Sequence, residues 1–278
     1  MSEIVYHETD IITGISMALY FQTICSSSSG NSLALWSDST RILIDCGLSS
    51  MKRTRAALTS VFDDPTRIDA VLLTHTHGDH IAYYPLRVLE AYGLSVRLHE
   101  DCYEQLRHKH YNGYGFGDLD VVPFKTKPFT VGDLTITPFE VMHNPAYPTY
   151  GYQIGYRDSK IVIATDFQEW TGVFDAFVDA DFIFVESNHD LDLLRQYYNP
   201  NSRYHLPNPD AAELLVNVQK ESRTPPRQVM LGHLSSQRNE PAIALAETTA
   251  AFDAAGVAMD FKLTAAPLRQ IGEIFQVV

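Results

Sequence analysis

One short segment carries most of the side chains that could perform chemistry: residues 71–80, with the sequence VLLTHTHGDH. Its apolar start predicts a buried strand, and four metal-ligating side chains follow within six residues. Imidazole nitrogens and carboxylate oxygens at this density suit zinc-like divalent ions. Because alternate residues of an extended chain point the same way, His75 and His77 can face one ion. Asp79 and His80 follow a turn and would face a second position, and the alternative is a polar surface loop with incidental histidines.

Three further ligand-type residues closely follow strand-like runs elsewhere in the chain. They are His143 after residues 135–141, Asp166 after residues 161–164 and His233 after residues 229–231. Open α/β layers keep their sites at the carboxyl ends of strands, so the repeated setting is informative. Each residue alone could be an ordinary polar side chain at a strand end. Together they predict that the chain completes two metal shells.

Strand and helix patterns alternate through the rest of the sequence and would position these residues. Residues 26–31, SSSSGN, predict a hairpin loop between two strands. Helices are predicted near 51–61, 85–92 and 241–255, and from 209 to about 221 with Asn208 as the cap. Strand-like runs occupy 19–23, 33–36, 41–45, 70–73, 134–141, 151–156, 160–164, 182–185, 229–231, 260–263 and 274–278. No long linker divides the chain, so we expect one α/β domain over residues 1–278.

Composition limits the classes of function. The 278 residues include 21 Lys and Arg against 34 Asp and Glu, and the net charge of −13 disfavours a coating of nucleic acid or anionic membrane. Cys25, Cys46 and Cys102 form no paired motif and favour a reducing compartment, so a cytoplasmic location is expected. No apolar run approaches the roughly 20 residues that span a bilayer, so no membrane partner is expected.

The order of the motifs resembles that of the metallo-β-lactamase superfamily over nearly the whole chain. Asp45 lies in the run LIDCG at residues 43–47, ahead of the histidine-rich loop. The resemblance implies an αββα sandwich with a dinuclear metal site along one edge. Asp45 would orient the metal loop without being a ligand, and the alternative is a turn aspartate at a strand end. The ligands implied by the family are His75, His77 and His143 for one ion, Asp79, His80 and His233 for the other, and Asp166 as the bridge.

Other segments look like the WalJ (YycJ)-type branch, which is similar to ribonuclease Z and to PhnP-like phosphodiesterases. The most discriminating is FVESNHD at residues 184–190, followed by GHLSS at 232–236 with Asn239. This branch implies phosphodiester chemistry, including exonuclease activity. Two features depart from its pattern: the usual basic stretch is shortened to residues 191–204, and Asn144 stands where an aspartate is commoner. The missing basic residues bear on nucleic-acid binding more than on hydrolysis.

Three residues outside the ligand set are candidates for roles in catalysis or substrate binding. His205 stands where ribonuclease Z-like enzymes keep a non-ligand histidine, which implies that it protonates the leaving oxygen or binds a phosphate oxygen. Glu186 would orient His205. The alternatives are a solvated histidine before a helix and a salt-bridged glutamate at a strand end. His189 is either a substrate contact or a helix-start residue, and the histidines in no matched motif are His7, His99, His108 and His110.

The sequence therefore predicts a dinuclear-metal hydrolase in which a metal-bridged hydroxide attacks phosphorus, with Asp79, His205 and Glu186 as catalytic residues. Its cofactors would be two divalent ions, zinc first, with Mn, Fe or Ni also compatible. Its substrate would be a small phosphodiester or a nucleic-acid end. The alternatives are a lactonase or thioesterase and a metal-binding regulatory protein without turnover. The loop GYGFG at 113–117 is predicted to be mobile, and its tyrosines are candidates for the substrate entrance.

Overall fold

The computed structural model describes residues 18–110, 117–268 and 270–278, with the backbone alone described at 109 and 110. Two seven-stranded sheets dominate this part of the chain. The predicted loop at 113–117 lies outside the described residues except for Gly117, and so do His7 and the side chain of His110. The domain boundaries 1–278 stay a prediction.

The first sheet mixes antiparallel and parallel pairing. Its order is β14-β1-β2-β3-β4-β5-β6, antiparallel from β14 to β3 and parallel from β3 to β6. The hairpin between β1 and β2 turns at Ser28 and Ser29, inside the predicted loop. The strands are β1 Tyr20–Ser27, β2 Gly30–Trp36, β3 Arg41–Ile44, β4 Ala70–Leu72, β5 Val96–His99, β6 Val121–Phe124 and β14 Phe275–Gln276.

The second sheet has the order β13-β12-β11-β10-β9-β8-β7. It is antiparallel from β7 to β10 and parallel from β10 to β13. The carboxyl ends of β10, β11 and β12 therefore lie at one edge. The strands are β7 Phe129–Val131, β8 Leu134–Val141, β9 Thr149–Tyr156, β10 Ser159–Ala164, β11 Phe182–Glu186, β12 Gln228–Gly232 and β13 Lys262–Ala265.

Three apolar clusters hold the sheets and helices in four layers. Between the sheets, the Phe21 ring packs 4.8 Å from that of Phe182 on the opposite sheet. Leu86 joins the cluster on the outer face of the first sheet, and Leu214 and Phe252 join the one on the second. The helices are α1 Met51–Val61, α2 Tyr83–Ala91, α3 Glu100–His110, α4 Phe174–Phe177, α5 Leu191–Gln196, α6 Asn208–Glu221 and α7 Pro241–Ala255. This arrangement confirms the predicted αββα sandwich.

The start of α6 differs from the sequence prediction. Asn208 does not cap the helix, because Pro207 occupies the cap position and Asn208 is the first helical residue. The Asn208 amide is buried, and its oxygen accepts hydrogen bonds from the Ser187 hydroxyl at 2.6 Å and the Asn239 amide at 2.7 Å. Its polar group therefore ties α6 to the segment after β11. Within the described residues, no helix is long and apolar enough to span a membrane.

Candidate metal centre

Strand ends from both sheets meet at one edge of the sandwich and bring the predicted ligands together. Asp45 follows β3, residues 73–80 follow β4, and His143, Asp166 and His233 follow β8, β10 and β12. The φ angles of Asp45, Asp166 and His233 are 60°, 58° and 51°. Left-handed backbone is costly for non-glycine residues, and it is kept mainly where a side chain must point in a required direction. Asp45, Asp166 and His233 are thus three of the five non-glycine residues with positive φ in the described part of the chain.

Four side chains form the first group of candidate ligands. The ligand atoms of His75, His77, His143 and Asp166 all lie within 4.8 Å of one another. Nε2 of His75 is 2.8 Å from Nδ1 of His77, and Nε2 of His143 is 3.3 Å from the same atom. Burial lowers the pKa of His75 well below its usual value and that of His77 to about 4. These rings are therefore neutral at pH 7 and keep lone pairs for a cation.

Asp79, His80 and His233 form the second group, and Asp166 of the first group lies beside two of its histidines. Oδ2 of Asp166 is 2.9 Å from Nε2 of His80 and 3.4 Å from Nε2 of His233. Oδ2 of Asp79 is 3.6 Å and 3.7 Å from the same two nitrogens. Ligands in a tetrahedral zinc shell lie about 3.3 Å apart, which is within this range. Nε2 of His233 is buried without a hydrogen-bond partner among the described residues, so this donor set fits a divalent ion.

Carboxylates dominate the electrostatics of the second group. Burial acts to lower the pKa of His233, but Asp166, Asp79 and Glu186 outweigh it and raise that pKa to about 10. Burial also opposes charge on His80, whose pKa Asp166 and neighbouring aspartates nevertheless hold well above its usual value. Side chains that draw protons onto imidazole in this way offer the same negative charge to a metal cation.

Oxygen acceptors fix the orientation of three of the candidate ligand histidines. Nδ1 of His80 lies 2.7 Å from Oδ2 of Asp45, and Nδ1 of His143 lies 2.9 Å from the Tyr204 carbonyl oxygen. Nδ1 of His233 lies 2.7 Å from Oε1 of Glu186. In the neutral form of each ring, a proton on Nδ1 that is donated to this acceptor leaves Nε2 with its lone pair, which is the tautomer that binds a metal.

Asp45 connects two parts of the loop that follows β4. Its Oδ1 accepts a hydrogen bond from the Thr74 backbone N–H, and its Oδ2 accepts one from the Thr74 hydroxyl, both at 2.8 Å. Oδ2 also accepts from His80, so the buried carboxylate serves three donors. Gly47, two residues after Asp45, has room for no side chain, since an added Cβ would overlap the carbonyl oxygen of Asp79. The Asp45 turn and the histidine-rich loop are therefore packed as one unit.

Glu186 joins the candidate ligand His233 to His205, and these three residues and Asp166 form a further group whose ligand atoms lie within 4.8 Å of one another. Its Oε1 lies 2.7 Å from Nδ1 of His233 and 2.8 Å from Nδ1 of His205, and its Oε2 accepts from the Phe167 backbone N–H at 3.0 Å. Burial opposes ionisation of Glu186, but His205 and His233 lower its pKa to about 2. The His205 side chain is 18% exposed and lines a cavity of about 270 Å³ that also contacts Asp79 and His233. His205 can therefore touch a molecule bound over the ligands.

His189 is buried, and the interpretation of it as a helix-start residue is wrong. Helix α5 begins at Leu191 and is capped by Asp190, whose carboxylate accepts from the Leu193 backbone N–H. The backbone of His189 instead forms an isolated bridge with Pro207, and its ring lines a second cavity beside His205.

Two of the histidines that belong to no matched motif contact residues outside the candidate ligand groups. His99 is buried, bonds to the Thr126 hydroxyl at 3.0 Å and stacks on Tyr150. His108 lies on the exposed face of α3 beside Glu104.

Several supporting residues have no role assigned from sequence. Thr74 is one, and Asn31 is another, with its Nδ2 3.0 Å from Nε2 of His80 and 3.3 Å from Oδ2 of Asp79. Asn188 donates to the His233 carbonyl oxygen at 2.9 Å. Asn31 and Asn188 belong to segments that resemble the WalJ-type branch, and that resemblance is the signal that could have singled them out.

Comparison with known proteins agrees with this architecture. Residues 40–234 match the family described as a beta-lactamase superfamily domain. The exodeoxyribonuclease WalJ of Streptococcus pneumoniae serotype 2 is 31% identical over 270 residues, covering 90% of this chain and 97% of the relative. The exodeoxyribonuclease YycJ of Bacillus anthracis is 29% identical over 240 residues, covering 80% of this chain and 85% of the relative.

A solved structure shows the same fold at lower identity. The metallo-beta-lactamase fold protein YhfI of Bacillus subtilis superposes with a TM-score of 0.71 at 19% identity, covering 93% of this chain and 99% of the other. The four layers, the ligands at one edge and the match over residues 40–234 agree with one another. The chain therefore belongs to the beta-lactamase superfamily.

Proposed function

We propose that this protein is a phosphodiesterase that uses two divalent metal ions and acts on small phosphodiesters or nucleic-acid ends. The observation that carries the proposal is the carboxylate of Glu186, which holds the candidate ligand His233 and the non-ligand His205 with the same oxygen. A potential proton donor is thereby fixed beside the metal centre. The exodeoxyribonucleases similar over 90% and 80% of this chain support the same class of reaction.

The two groups of ligands would hold one ion each. Mixed imidazole and carboxylate donors suit zinc first, and Mn, Fe or Ni are compatible. Bound ions would supply Lewis acidity, which lowers the pKa of water and offsets the charge of phosphoryl oxygens. We assign the first ion to His75, His77 and His143, the second to Asp79, His80 and His233, and the bridging role to Asp166.

The remaining steps fall to side chains beside the ligands. Nδ1 of His205 bonds to Glu186, which leaves Nε2 as the ring nitrogen available to a leaving oxygen. The Glu186 carboxylate stabilises the protonated ring, so His205 would give a proton to the departing alkoxide. Asp79 lines the same cavity with its side chain 25% exposed, and it would accept a hydrogen bond from the attacking water. Asp45 would act through His80 as a positioning residue.

The size and charge of the protein limit the substrate. The cavity over the ligands measures about 270 Å³, which suits a small ligand or one end of a chain better than a duplex. The net charge of −13 disfavours tight nonspecific binding of long nucleic acid. We also propose a cytoplasmic location, since Cys25, Cys46 and Cys102 are free and buried.

The test is hydrolysis of bis(p-nitrophenyl) phosphate by zinc-loaded wild-type protein and by the Asp79→Ala variant. We expect metal-dependent turnover in the wild type and at least about a hundredfold less in the variant, because it loses a ligand and the contact to water. Metal content and circular dichroism of the variant show whether the fold and the first ion remain.

Two other results would contradict the proposal. A wild type that binds metal and opens a lactone or thioester, yet leaves phosphodiesters intact, would be an acyl hydrolase. A wild type that binds metal and hydrolyses none of these substrates would be a metal-binding regulatory protein.

A further inference from the structure

A second cavity of about 330 Å³ lies beside the metal centre. It shares Asn199, Ser202 and His205 with the cavity over the ligands, so the two cavities adjoin at these residues. Its other walls include Tyr198 and Arg203, which belong to the segment after α5. We call it the outer cavity. None of the steps assigned above uses it.

The outer cavity presents an aromatic ring to solvent. Tyr198 is 78% exposed, the largest exposure among the exposed large hydrophobic side chains of the described residues. A tyrosine side chain combines a flat apolar ring with a polar hydroxyl, and aromatic rings pack in stacked arrangements. The ring therefore offers one face of a stacking site.

The other walls supply charge and polar groups. The Arg203 guanidinium lies 4.6 Å from the centre of the Tyr204 ring and donates to the Tyr204 hydroxyl at 2.6 Å, and Arg203 is among the residues that line the cavity. Gln168 and the acidic residue Asp210 also line this space. Aromatic rings for stacking, together with cations for the backbone, are the combination that binds single-stranded nucleic acid.

Turn hydrogen bonds hold the segment in place. The Asn199 side chain accepts from the Asn201 backbone N–H, and the Ser202 backbone N–H donates to the Asn199 carbonyl oxygen, both at 3.0 Å. Tyr204 is connected to the metal centre through its carbonyl oxygen, which accepts from His143. The outer cavity is therefore fixed relative to the candidate ligands before any substrate arrives.

We propose that the outer cavity binds the base and sugar of the nucleoside that leaves the phosphorus. The inference rests on the proposed function, because it uses the reaction to fix the direction of the substrate. In that reaction the oxygen of water bonds to phosphorus, the bond from phosphorus to the nucleoside oxygen breaks, and that oxygen takes up a proton. A leaving group that contacts His205 extends beyond this side chain, away from the candidate ligands. The outer cavity is the space on that side of His205. The substrate would be an unpaired end of a nucleic acid, with a base on the departing nucleoside.

Thymidine dinucleotides test this directly. One substrate carries both bases, a second lacks the base on the departing nucleoside, and a third lacks it on the retained one; product analysis identifies which nucleoside departs. For the wild type we expect kcat/KM to fall about tenfold when the departing base is absent, since stacking of one base has roughly that effect. Tyr198→Ala should cause the same fall with the intact dinucleotide and no further fall with the substrate that lacks the departing base.

Tyr197→Ala is the matched control, since Tyr197 is 56% exposed but does not line the outer cavity. Equal kinetics of the Tyr198→Ala and Tyr197→Ala variants, or an equal effect of removing either base, would overturn the inference while the phosphodiesterase proposal stands. Cleavage of none of the dinucleotides would contradict the proposed function instead. Saturation-transfer NMR of free thymidine then tests, without turnover, whether the outer cavity binds a nucleoside. Loss of thymidine binding in Tyr198→Ala supports the inference, and no binding of thymidine to the wild type overturns it.

Discussion

The substitution Asp45→Asn tests how the candidate ligands are held. Asp45 is buried, and its two oxygens accept from the Thr74 N–H, the Thr74 hydroxyl and Nδ1 of His80, at 2.8, 2.8 and 2.7 Å. Asparagine has the same shape but only one acceptor oxygen. If that oxygen stays with the Thr74 N–H, its amino group faces His80, and Nδ1 must become an acceptor. The His80 proton then moves to Nε2, which can no longer bind a metal.

The size of the effect follows from this change of tautomer. Loss of a carboxylate that orients a metal-binding histidine typically costs 10- to 100-fold in metal affinity, which corresponds to about 1.4–2.8 kcal/mol. Burial raises the pKa of the Asp45 carboxyl, so the ionised side chain is costly to the fold itself. We therefore expect the loss in metal affinity rather than in stability of the metal-free protein.

Zinc titration against a competing chelator measures the affinity, and thermal unfolding of the metal-free protein reports the fold. Asp133→Asn is the control, because Asp133 also accepts hydroxyl hydrogen bonds, from Ser37 and Ser39, but lies beyond the other end of β2 from the centre. Unchanged zinc affinity in Asp45→Asn, or an equal loss in Asp133→Asn, would refute the role given to Asp45.

Two further predictions concern packing and pH. Gly47→Ala should destabilise the protein by about 1–3 kcal/mol in chemical denaturation and weaken zinc binding, because the new methyl group displaces the backbone of Asp79. Gly78→Ala is the control, since its added Cβ meets no heavy atom within 4 Å, and it should change neither stability nor zinc binding. Equal behaviour of the two variants would contradict this account. Burial opposes ionisation of Asp133, but hydrogen bonds from Thr40, Ser39 and Ser37 keep its pKa below the usual value. A depressed folded-state pKa stabilises the protein above the unfolded-state pKa of about 3.9, so the stability gap between wild type and Asp133→Asn should be full near pH 6 and shrink as the pH falls below about 4. Urea denaturation at both pH values checks this, and a gap that is constant or grows in acid would disprove it.

Local sequence patterns were sufficient to predict the candidate ligands and the strands that they follow. Asp166 and His233 each follow a short apolar run, so their positions at strand ends can be read without knowing the tertiary structure. The edge strand β6 was not predicted, because it is half exposed and contains Pro123, which weakens its hydrophobic pattern. Helix α3 was not predicted, because its sequence is mainly polar.

The supporting contacts depend on distant parts of the chain. Asn31 reaches Asp79 across 48 positions, and Asn208 exchanged its expected capping role for bonds with Ser187 and Asn239. Asparagine suits turns, helix caps and buried networks alike, so its residue type does not choose among them. Only the packing of β1, β2 and α6 around the centre decides which of these roles each asparagine takes.

The most direct test of the central claim is the rate of bis(p-nitrophenyl) phosphate hydrolysis as zinc is added stepwise to the chelator-treated protein. The proposed pair of ligand groups, joined by Asp166, predicts that the rate rises until two equivalents per chain are bound and is constant thereafter. A protein that binds two equivalents and shows no hydrolysis at any loading, or that is fully active without metal, would contradict the account.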